Sequence, residues 1–260
     1  MTVKPPPYPT GHALLAGKNV LVTAAAGTGI GFAAARRASE EGATVMISDI
    51  HERRLGEAAA ELERLTGRRP PTALCNVAEE AQVRALVDAA VAELGHVDVL
   101  INNAGLGGNA PIVEMTDDQW NAVIGITLTG TFRMLRAMLP HMYRRGTGAV
   151  VNNASVLGWR AQERQAHYAA AKAGVMALTR CVALEAAEHG VRVNAVAPSL
   201  ATHKFLTKVM PDGLLEELEQ KEAFGRGAEP WEVANVMMFL ASDLSSYMTG
   251  ECVAVSSQHP

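Results

Sequence analysis

Short apolar runs alternate along the chain with longer segments in which apolar residues recur at helical spacing. The short runs are nearly continuous in Val, Ile, Leu and Ala and end at Gly, Asn or Asp, which is typical of strands buried on both faces of a parallel sheet. We predict seven strands, at 19–24, 44–49, 71–77, 97–105, 148–155, 191–198 and 252–257. Helices are predicted between them, at 29–41, 51–65, 79–94, 117–144, 166–189 and 230–241.

The alternation of strands and helices defines the expected architecture. It predicts a doubly wound α/β fold, in which helices cover both faces of a parallel sheet. The chain has 260 residues, of which 48% are hydrophobic, enough for one sizeable core. We therefore predict a single domain with a seven-stranded parallel sheet over residues 17–260. Residues 1–16 are rich in proline and are predicted to form an extended arm ahead of it.

Net charge and cysteine content limit the binding partners and the cellular compartment that we expect. The net charge is −4, which gives no reason to expect a nucleic acid or an acidic membrane surface as a partner. The longest uncharged stretch, 19–35, is too short to span a bilayer, and residues 1–17 lack the apolar segment of a secretory signal. Cys75, Cys181 and Cys252 are far apart and form no Cys-x-x-Cys pair. We expect free buried thiols in a reducing cytoplasm and no metal site.

A glycine-rich turn, TAAAGTGIG, follows the first predicted strand. It contains Gly27, Gly29 and Gly31, but the pattern G-x-G-x-x-G fails because Phe32 stands at its last position. Glycine at the start of a helix lets backbone N–H groups approach a phosphate, which the partial positive charge of the helix N-terminus attracts. The turn therefore predicts a nucleotide site, with a purely structural turn as the alternative.

Asp49 ends the second predicted strand, about 20 residues after the glycines, where an acid accepts hydrogen bonds from ribose hydroxyls. A carboxylate at this place repels a 2′-phosphate, so we expect NAD as the cofactor. NADP stays possible because Arg53 and Arg54 are close in sequence. The alternative role for Asp49 is to cap the following helix.

Two further segments carry side chains suited to proton transfer. The fifth predicted strand ends at Ser155, and the next helix contains Tyr168 and Lys172, four positions apart and hence on one face. A nearby ammonium group favours a phenolate, so we expect Lys172 to lower the pKa of Tyr168 from about 10 by about one to three units. Tyr168 would then exchange a proton with a substrate oxygen to which Ser155 also hydrogen-bonds.

Together these segments resemble the short-chain dehydrogenase/reductase family. The resemblance covers residues 17–257 and rests on TAAAGTGIG, NNAG (102–105), Ser155, YAAAK (168–172), RVNAVAPS (192–199) and the segment 228–257. It implies a Rossmann domain, a bound NAD(P)(H) and hydride transfer between the nicotinamide and a carbinol carbon. The Tyr–Lys spacing is similar to the main pattern of the family and argues against its enoyl-reductase branch.

The resemblance also implies roles for individual residues. Tyr168 would be the acid/base, Ser155 would position the substrate oxygen, and Lys172 would lower the pKa of Tyr168 and bind the nicotinamide ribose. The cofactor-binding residues implied are Thr23, Gly27, Gly29, Ile30, Gly31, Asp49, Asn76, Val77, Asn103, Ala104, Gly105, Tyr168, Lys172, Pro198 and Thr202.

The glycine turn and the third strand depart from the family pattern. Ala24 stands where the family has a glycine, and the turn contains one extra residue before Gly29. A longer turn can still present backbone N–H groups, so we expect pyrophosphate binding with an altered turn geometry. Asn76 replaces the usual acid near the adenine, and its amide oxygen can accept a hydrogen bond from the adenine amino group.

Later positions depart from the pattern as well. Thr127 replaces an asparagine that holds a water in the proton relay of the family. We assign Thr127 to the catalytic residues, expecting its hydroxyl and backbone to keep that water. His203 falls where a threonine usually meets the nicotinamide carboxamide, and the adjacent Thr202 is expected to take that role. Serine replaces family glycines at Ser199, Ser256 and Ser257.

The segment 156–167 is expected to line the mouth of the substrate pocket. Leu157 and Trp159 would pack against an apolar ring system, and Arg160 or Arg164 would pair with an anionic group unless they are surface charges. His167 is expected to be an outward or packing residue.

Residues 200–227 are expected to form a lid over the substrate. Its candidate contacts are Phe205, Leu206 and Met210. The substrate residues predicted from both segments are Ser155, Leu157, Trp159, Arg160, Tyr168 and Phe205.

The sequence predicts an oxidoreductase that acts on a secondary alcohol or ketone. The segments NNASVLGWRAQERQAHYAAAKAGVMALTRC and AEPWEVA resemble actinobacterial family members that degrade steroid C and D rings. That likeness implies a methylhexahydroindanone acid carried as a coenzyme A thioester. The alternatives are a 3-oxoacyl thioester reductase of fatty-acid type and a catalytically silent nucleotide-binding sensor or scaffold.

The predicted helices at 117–144 and 166–189 carry more apolar surface than one sheet face needs. A homo-oligomeric interface would cover it, and the family resemblance implies dimers or tetramers. A larger core is the alternative.

Overall fold

One parallel sheet organises the chain. The computed structural model describes residues 2–202 and 213–258. Within them, the strands are β1 (Asn19–Val22), β2 (Thr44–Asp49), β3 (Thr72–Leu74), β4 (Val99–Asn102), β5 (Gly148–Asn153), β6 (Val191–Pro198) and β7 (Cys252–Val255). They lie in the order β3-β2-β1-β4-β5-β6-β7, and each neighbouring pair is parallel. The predicted doubly wound, seven-stranded sheet is confirmed, and the order reverses between β1 and β4.

Helices cover both faces of this sheet. Their bounds are α1 (Ile30–Glu40), α2 (Glu52–Thr66), α3 (Glu80–Leu94), α4 (Asp117–Ile124), α5 (Gly130–Arg145), α6 (Ala166–Ala187), α7 (Leu214–Gln220) and α8 (Pro230–Ala241). Side chains of a strand alternate between its two faces. Val20 and Val22 therefore pack with α1, α2 and α8, while Leu21 packs with α3, α5 and α6.

The helix predicted at 117–144 is interrupted. A π-helical turn at Gly125–Thr129 separates α4 from α5. Asp117–Arg145 also has the length and apolar composition of a membrane span, alone among the described helices. Its side chains Met134, Met138 and Met142 are fully buried against the sheet, as in a core helix.

The predicted lid contains a helix that the sequence pattern did not indicate. Residues 214–220 form α7, which leads back towards α8. The residues 203–212 lie outside the described part of the chain, and with them the proposed contacts Phe205, Leu206 and Met210 and the departure at His203.

The three cysteines differ in environment. All are free, as expected, and Cys75 is buried. The expectation that all three are buried is wrong for Cys181, which is exposed on α6, and Cys252 is partly buried. A cysteine can occupy the outer face of a helix because its side chain is small and only weakly polar.

Candidate active site

The glycine turn opens helix α1 at the switch point of the sheet, where doubly wound folds bind ligands. A Cβ added to Gly31 would lie 2.2 Å from the carbonyl oxygen of Ala24 and 2.5 Å from Asn103 Nδ2, so only glycine fits. Gly27 has φ +112°, and Ala24 has φ +51°, in the left-handed region. Gly29 is the N-cap of α1 and Ile30 its first residue, with no side-chain cap on the first N–H groups. The turn fits a phosphate at these free N–H groups.

Thr23 joins the glycine turn to the loop after β4. Its buried hydroxyl accepts hydrogen bonds from the backbone N–H groups of Asn103 (2.9 Å) and Ala104 (3.1 Å). Asn103 Nδ2 in turn donates to the carbonyl oxygens of Thr23 (3.2 Å) and Ala24 (3.1 Å). Thr23 therefore positions two backbone segments, and its hydroxyl faces the protein.

Asp49 links the end of β2 to the same turn. Its side chain is 8% exposed; Oδ2 accepts from the N–H of Ala26 and Oδ1 from that of His51, both at 3.1 Å. Burial raises the pKa of Asp49, while the bond from Ala26 and the charge of Arg54 oppose the rise. The N-cap of α2 is His51, so Asp49 is not itself the N-cap, although it binds the N–H of that residue.

Asn76 and Val77 follow β3 at the adenine side of the expected site. Asn76 Oδ1 accepts a hydrogen bond from the N–H of Ala78 at 3.0 Å. This bond stabilises a local turn and occupies one of the two lone pairs of the amide oxygen. Val77 is buried, and a Cβ on Gly130 would lie 2.7 Å from Val77 Cγ2. The start of α5 thus approaches Val77 closely.

Ser155 and Tyr168 meet at the end of β5. Ser155 has an extended backbone, accepts a hydrogen bond from the N–H of Leu157 at 3.2 Å, and lies 3.5 Å from the carbonyl oxygen of Pro198. Tyr168 is in the first turn of α6. Burial raises the pKa of Tyr168 to about 12, and its hydrogen bond with Ser155 acts in the opposite direction.

Lys172 lies one turn further along α6, and its side chain is buried. Its Nζ donates to the carbonyl oxygen of Asn153 at 2.5 Å and lies 5.5 Å from the centroid of the Tyr168 ring. A Cβ added to Gly105 would lie 3.5 Å from this Nζ, so the loop after β4 passes close to the ammonium group. Burial lowers the pKa of Lys172 to about 8.

These environments correct one expectation. The pKa of Tyr168 is raised, and the expected lowering by Lys172 is wrong for this structure. Removal from water outweighs the hydrogen bond with Ser155, and the Lys172 ammonium group is directed to the carbonyl of Asn153. At neutral pH Tyr168 is a protonated phenol and can donate its proton.

Thr127 lies in the π-helical turn and is 1% exposed. Its hydroxyl donates to the carbonyl oxygen of Leu106 at 3.1 Å and accepts from the N–H of Leu106 at 2.9 Å. Its own carbonyl oxygen accepts from Thr131 Oγ1 at 2.8 Å. Each of these two oxygens keeps one further acceptor lone pair, so the role of Thr127 in holding a relay water stays a prediction.

Sequence reasoning missed the role of Asn153. Its carbonyl oxygen accepts from Lys172, and its Nδ2 donates to Asn103 Oδ1 at 2.9 Å. One residue thus joins the catalytic helix to the loop beside the glycine turn. Its place at the carboxyl end of a central strand was a usable signal, since polar residues there face the ligand crevice.

Among the described residues, four buried side-chain atoms lack a hydrogen-bond partner, and two of these bear on cofactor binding. They are Oδ1 of Asn153 and Oγ1 of Thr202, whose N–H is bound to the carbonyl oxygen of Ala228 at 3.0 Å. Orphaned buried acceptors and donors are costly unless a ligand or water satisfies them. With the glycine cradle at Gly31, they fit a dinucleotide whose polar groups complete these bonds.

The predicted substrate residues lie at different depths. Leu157 is partly buried, and Trp159 is 52% exposed. Arg160 Nη1 donates to Gln258 Oε1 at 2.7 Å, so this guanidinium group is already hydrogen-bonded to the C-terminal tail. Arg164 is exposed. His167 is a packing residue, 1% exposed, and a Cβ on Gly108 would lie 2.3 Å from its Nε2.

Comparison with known proteins identifies the family. Residues 24–257 match the sequence profile of a family described as enoyl-(acyl carrier protein) reductase. The chain is 62% identical over 251 residues, 96% of either chain, to the (5R,7aS)-5-hydroxy-7a-methyl-1-oxo-2,3,5,6,7,7a-hexahydro-1H-indene-carboxyl-CoA reductase of Mycobacterium tuberculosis. It is 39% identical to the 3-oxoacyl-(acyl-carrier-protein) reductase of Thermotoga maritima, over 93% of this chain and 97% of that one.

A solved structure agrees with this placement. The crystal structure of a short chain dehydrogenase from Mycobacterium smegmatis is 55% identical, covers 99% of both chains and has a TM-score of 0.88. Fold, site geometry and sequence identity lead to one conclusion: the chain is an oxidoreductase of the short-chain dehydrogenase/reductase family, whose members bind a nicotinamide cofactor, NAD(H) or NADP(H).

Proposed function

We propose that the enzyme transfers hydride between NAD(H) and a secondary alcohol or ketone on a cyclic acid that is carried as a coenzyme A thioester, an intermediate of steroid C- and D-ring degradation. The observation that carries the proposal is the 62% identity to a hexahydro-indene-carboxyl-CoA reductase, which extends over 96% of both proteins. The four-residue spacing of Tyr168 and Lys172 supports ketone or alcohol chemistry.

In the reducing direction, Tyr168 donates a proton to the substrate carbonyl oxygen. Its pKa of about 12 keeps the phenol protonated at neutral pH. Ser155 hydrogen-bonds the same oxygen and stabilises the charge that develops on it. A bound nicotinamide cofactor would supply the hydride in this direction and accept it in the other. The same side chains serve both directions by microscopic reversibility.

Lys172 stabilises the phenolate that Tyr168 becomes when it has given up its proton. With a pKa of about 8, its ammonium group is charged at pH 7. Its 5.5 Å distance from the ring places a positive charge near the developing negative one. Lys172 would also bind the nicotinamide ribose, and Asn153 directs its Nζ towards the crevice.

The cofactor would lie across the end of the sheet. Backbone N–H groups of Gly27, Gly29, Ile30 and Gly31 would bind the pyrophosphate, and Thr202 Oγ1 the nicotinamide carboxamide. Asn76, Val77, Asn103, Ala104, Gly105 and Pro198 would complete the walls. Asp49 would accept from the adenosine ribose through its remaining lone pairs, and its carboxylate favours NAD over NADP.

Thr127 acts as a positioning residue in this proposal. Its two hydrogen bonds to Leu106 fix the backbone just after Gly105, which passes beside Lys172 Nζ.

A 3-oxoacyl thioester reductase of fatty-acid type is the second candidate, supported by the 39% identity to the Thermotoga maritima enzyme. The higher identity to the cyclic-substrate reductase makes it the weaker one. A silent sensor or scaffold is disfavoured because Ser155, Tyr168 and Lys172 are all present and adjacent.

We further propose a homo-oligomer in the cytoplasm. Phe132 on α5 and Leu184 on α6 are 40% and 77% exposed, and burial against a second copy would remove them from water. The described cysteines are free thiols, as expected in a reducing compartment.

The test of the substrate is a comparison of initial rates. Absorbance of the reduced nicotinamide would be followed with NADH and NADPH against a keto-methylhexahydroindane-carboxyl-CoA and a straight-chain 3-oxoacyl-CoA. We expect a higher kcat/KM for the cyclic thioester, with NADH. A preference for the straight-chain thioester would instead support the fatty-acid candidate.

A further inference from the structure

Residues 222–228, here called the return segment, lead from α7 to α8 alongside the Leu200–Thr202 strip. Ala228 N–H donates to the carbonyl oxygen of Leu200 at 2.7 Å, and Thr202 N–H donates to that of Ala228 at 3.0 Å. A Cβ added to Gly227 would lie 2.2 Å from Thr202 Oγ1. The position of the return segment therefore determines where the Thr202 hydroxyl lies.

Glu222 begins this segment and is buried at 3% exposure. Its Oε2 accepts from Ser257 Oγ at 2.8 Å, and its Oε1 accepts from the N–H of Leu200 at 3.4 Å. The N–H of Ala223 donates to the carbonyl oxygen of Ser257 at 2.7 Å. One carboxylate thus connects the C-terminal tail, the return segment and the strip that carries Thr202.

These contacts are the side-chain restraint on this side of the segment, beside the backbone bonds of Ala228 with Leu200 and Thr202. A cavity of about 300 Å³ borders Glu222, Ser199 and Ser257, so close packing does not fix them. A buried carboxylate is retained at a desolvation cost that its hydrogen bonds must offset. Ser257 also stands where the family pattern has glycine, which has no hydroxyl to donate, so the link to Glu222 depends on the serine at this position.

The opposite side of the return segment is bound by the N-terminal arm. The N–H of Val3 donates to the carbonyl oxygen of Phe224, and Arg226 Nε donates to that of Val3, both at 2.8 Å. Arg226 also forms a two-pronged ion pair with Glu232 on α8, at 2.6 and 2.9 Å. With this side fixed, removal of the Glu222 contacts frees only the side that faces Leu200.

We propose that Glu222 is a positioning residue for the nicotinamide half of the cofactor: through Ser257 and Leu200 it fixes the strip that presents the Thr202 hydroxyl. The inference rests on the contact proposed above between Thr202 and the carboxamide. It predicts a selective effect, because the glycine turn, Asp49 and the adenosine side lie on other elements.

The test compares NAD⁺ with ADP-ribose, which lacks the nicotinamide, by calorimetric titration of the full-length protein. Glu222→Ala should weaken NAD⁺ binding by about five-fold, the size of one lost neutral hydrogen bond, and leave ADP-ribose binding within about two-fold. Ser257→Ala should act in the same direction. Glu222→Gln keeps an acceptor for Ser257 and should recover most of the NAD⁺ affinity. Glu216→Ala, an exposed acid on α7, is the matched control and should change neither ligand.

Thr202→Val separates the two possible failures. If Thr202→Val lowers NAD⁺ binding relative to ADP-ribose but Glu222→Ala and Ser257→Ala do not, the role of Glu222 is overturned. Equal weakening of both ligands by Glu222→Ala would overturn it too, since that result indicates general destabilisation. If Thr202→Val leaves the ratio of the two affinities unchanged, the proposed contact of Thr202 itself fails, and the inference fails with it.

Discussion

Burial governs the protonation of the two titratable side chains at the catalytic centre. It raises the pKa of Tyr168 to about 12 and lowers that of Lys172 to about 8. Both shifts favour the neutral form, because a low-dielectric environment disfavours charge of either sign. At neutral pH, Lys172 therefore carries the positive charge of the pair, and Tyr168 carries the proton that can be transferred.

Lys172 should make the stability of the apo protein depend on pH. Its pKa is about 8 in the folded protein and 10.5 for an ordinary lysine in the unfolded chain, so between these values the unfolded chain binds more protons and the free energy of unfolding rises with pH. The full rise is about 3 kcal/mol. The free energy of unfolding of the wild type should therefore rise relative to that of Lys172→Met as the pH increases from 7.5 to 10, as measured by denaturant unfolding.

The control for that series is Lys221→Met, at an exposed lysine paired with Glu217. It should keep the wild-type slope. Parallel pH curves for the wild type and Lys172→Met would show that Lys172 is not a buried cation in the folded protein.

Asp49 should decide between the two cofactors. Asp49→Ala removes the carboxylate that repels a 2′-phosphate, so the ratio of kcat/KM for NADH over NADPH should fall by about ten-fold. Glu52→Ala, an exposed acid in the first turn of α2, should leave the ratio unchanged. If the ratio persists in Asp49→Ala, Asp49 only fixes the backbone at Ala26 and His51.

At the scale of the elements, hydrophobic patterning predicted the helices and strands, but it did not predict the irregularities within them. The long apolar runs of β2 and β6 match their predicted bounds because a buried parallel strand has an unambiguous pattern. The π-helical turn left no such pattern. It depends on contacts distant in sequence, namely Thr127 with Leu106 and Gly130 with Val77.

The glycine turn allows a sharp test of one element. Gly31→Ala places a Cβ 2.2 Å from the carbonyl oxygen of Ala24, so the turn must open and dinucleotide binding should weaken by at least about ten-fold in a fluorescence titration with NADH. Gly56→Ala is the matched control: Gly56 lies within α2 with nothing within 4 Å of its added Cβ. It should keep NADH affinity and raise stability by about 0.5–1 kcal/mol.

Equal NADH affinity in Gly31→Ala and the wild type would contradict the assignment of the turn to the pyrophosphate. It would mean that the close approach to Ala24 serves the packing of α1 alone.

At the scale of the whole molecule, the N-terminal arm is part of the packed structure. Tyr8 donates to Glu40 at 2.7 Å, its ring lies 4.2 Å below the Arg36 guanidinium, and it meets Trp231 edge-on at 5.5 Å. Burial and Glu40 raise the pKa of Tyr8 to about 12. Proline content predicted an extended segment, but composition contains no information on which surface such a segment contacts.

Tyr8→Ala should therefore destabilise the protein. Loss of the ring contacts and one hydrogen bond should lower the free energy of unfolding by about 1–3 kcal/mol. Tyr247→Ala, at a fully exposed tyrosine, is the control and should have almost no effect. Equal denaturation midpoints for the two variants would show that the arm is not docked in solution.

The proposed catalytic and cofactor residues could be chosen from sequence because their polar side chains and glycines fall at the carboxyl ends of strands. Ser155 follows β5 by two residues, Asp49 ends β2, and the glycine turn follows β1, so topology alone brings them together. The link between Glu222 and Ser257 was not predictable. It joins the return segment to the tail across 35 positions and has no periodic pattern.

The central claim is that Tyr168 transfers the proton to a ketone in a nicotinamide-dependent reduction. Its most direct measurement is the turnover of Tyr168→Phe beside the wild type, with NADH and the cyclic keto acyl-CoA thioester, together with the Kd for NADH. We predict turnover by the wild type, a loss of about 100-fold or more in kcat for Tyr168→Phe, and nearly unchanged NADH affinity. Equal turnover by the two proteins would contradict the account.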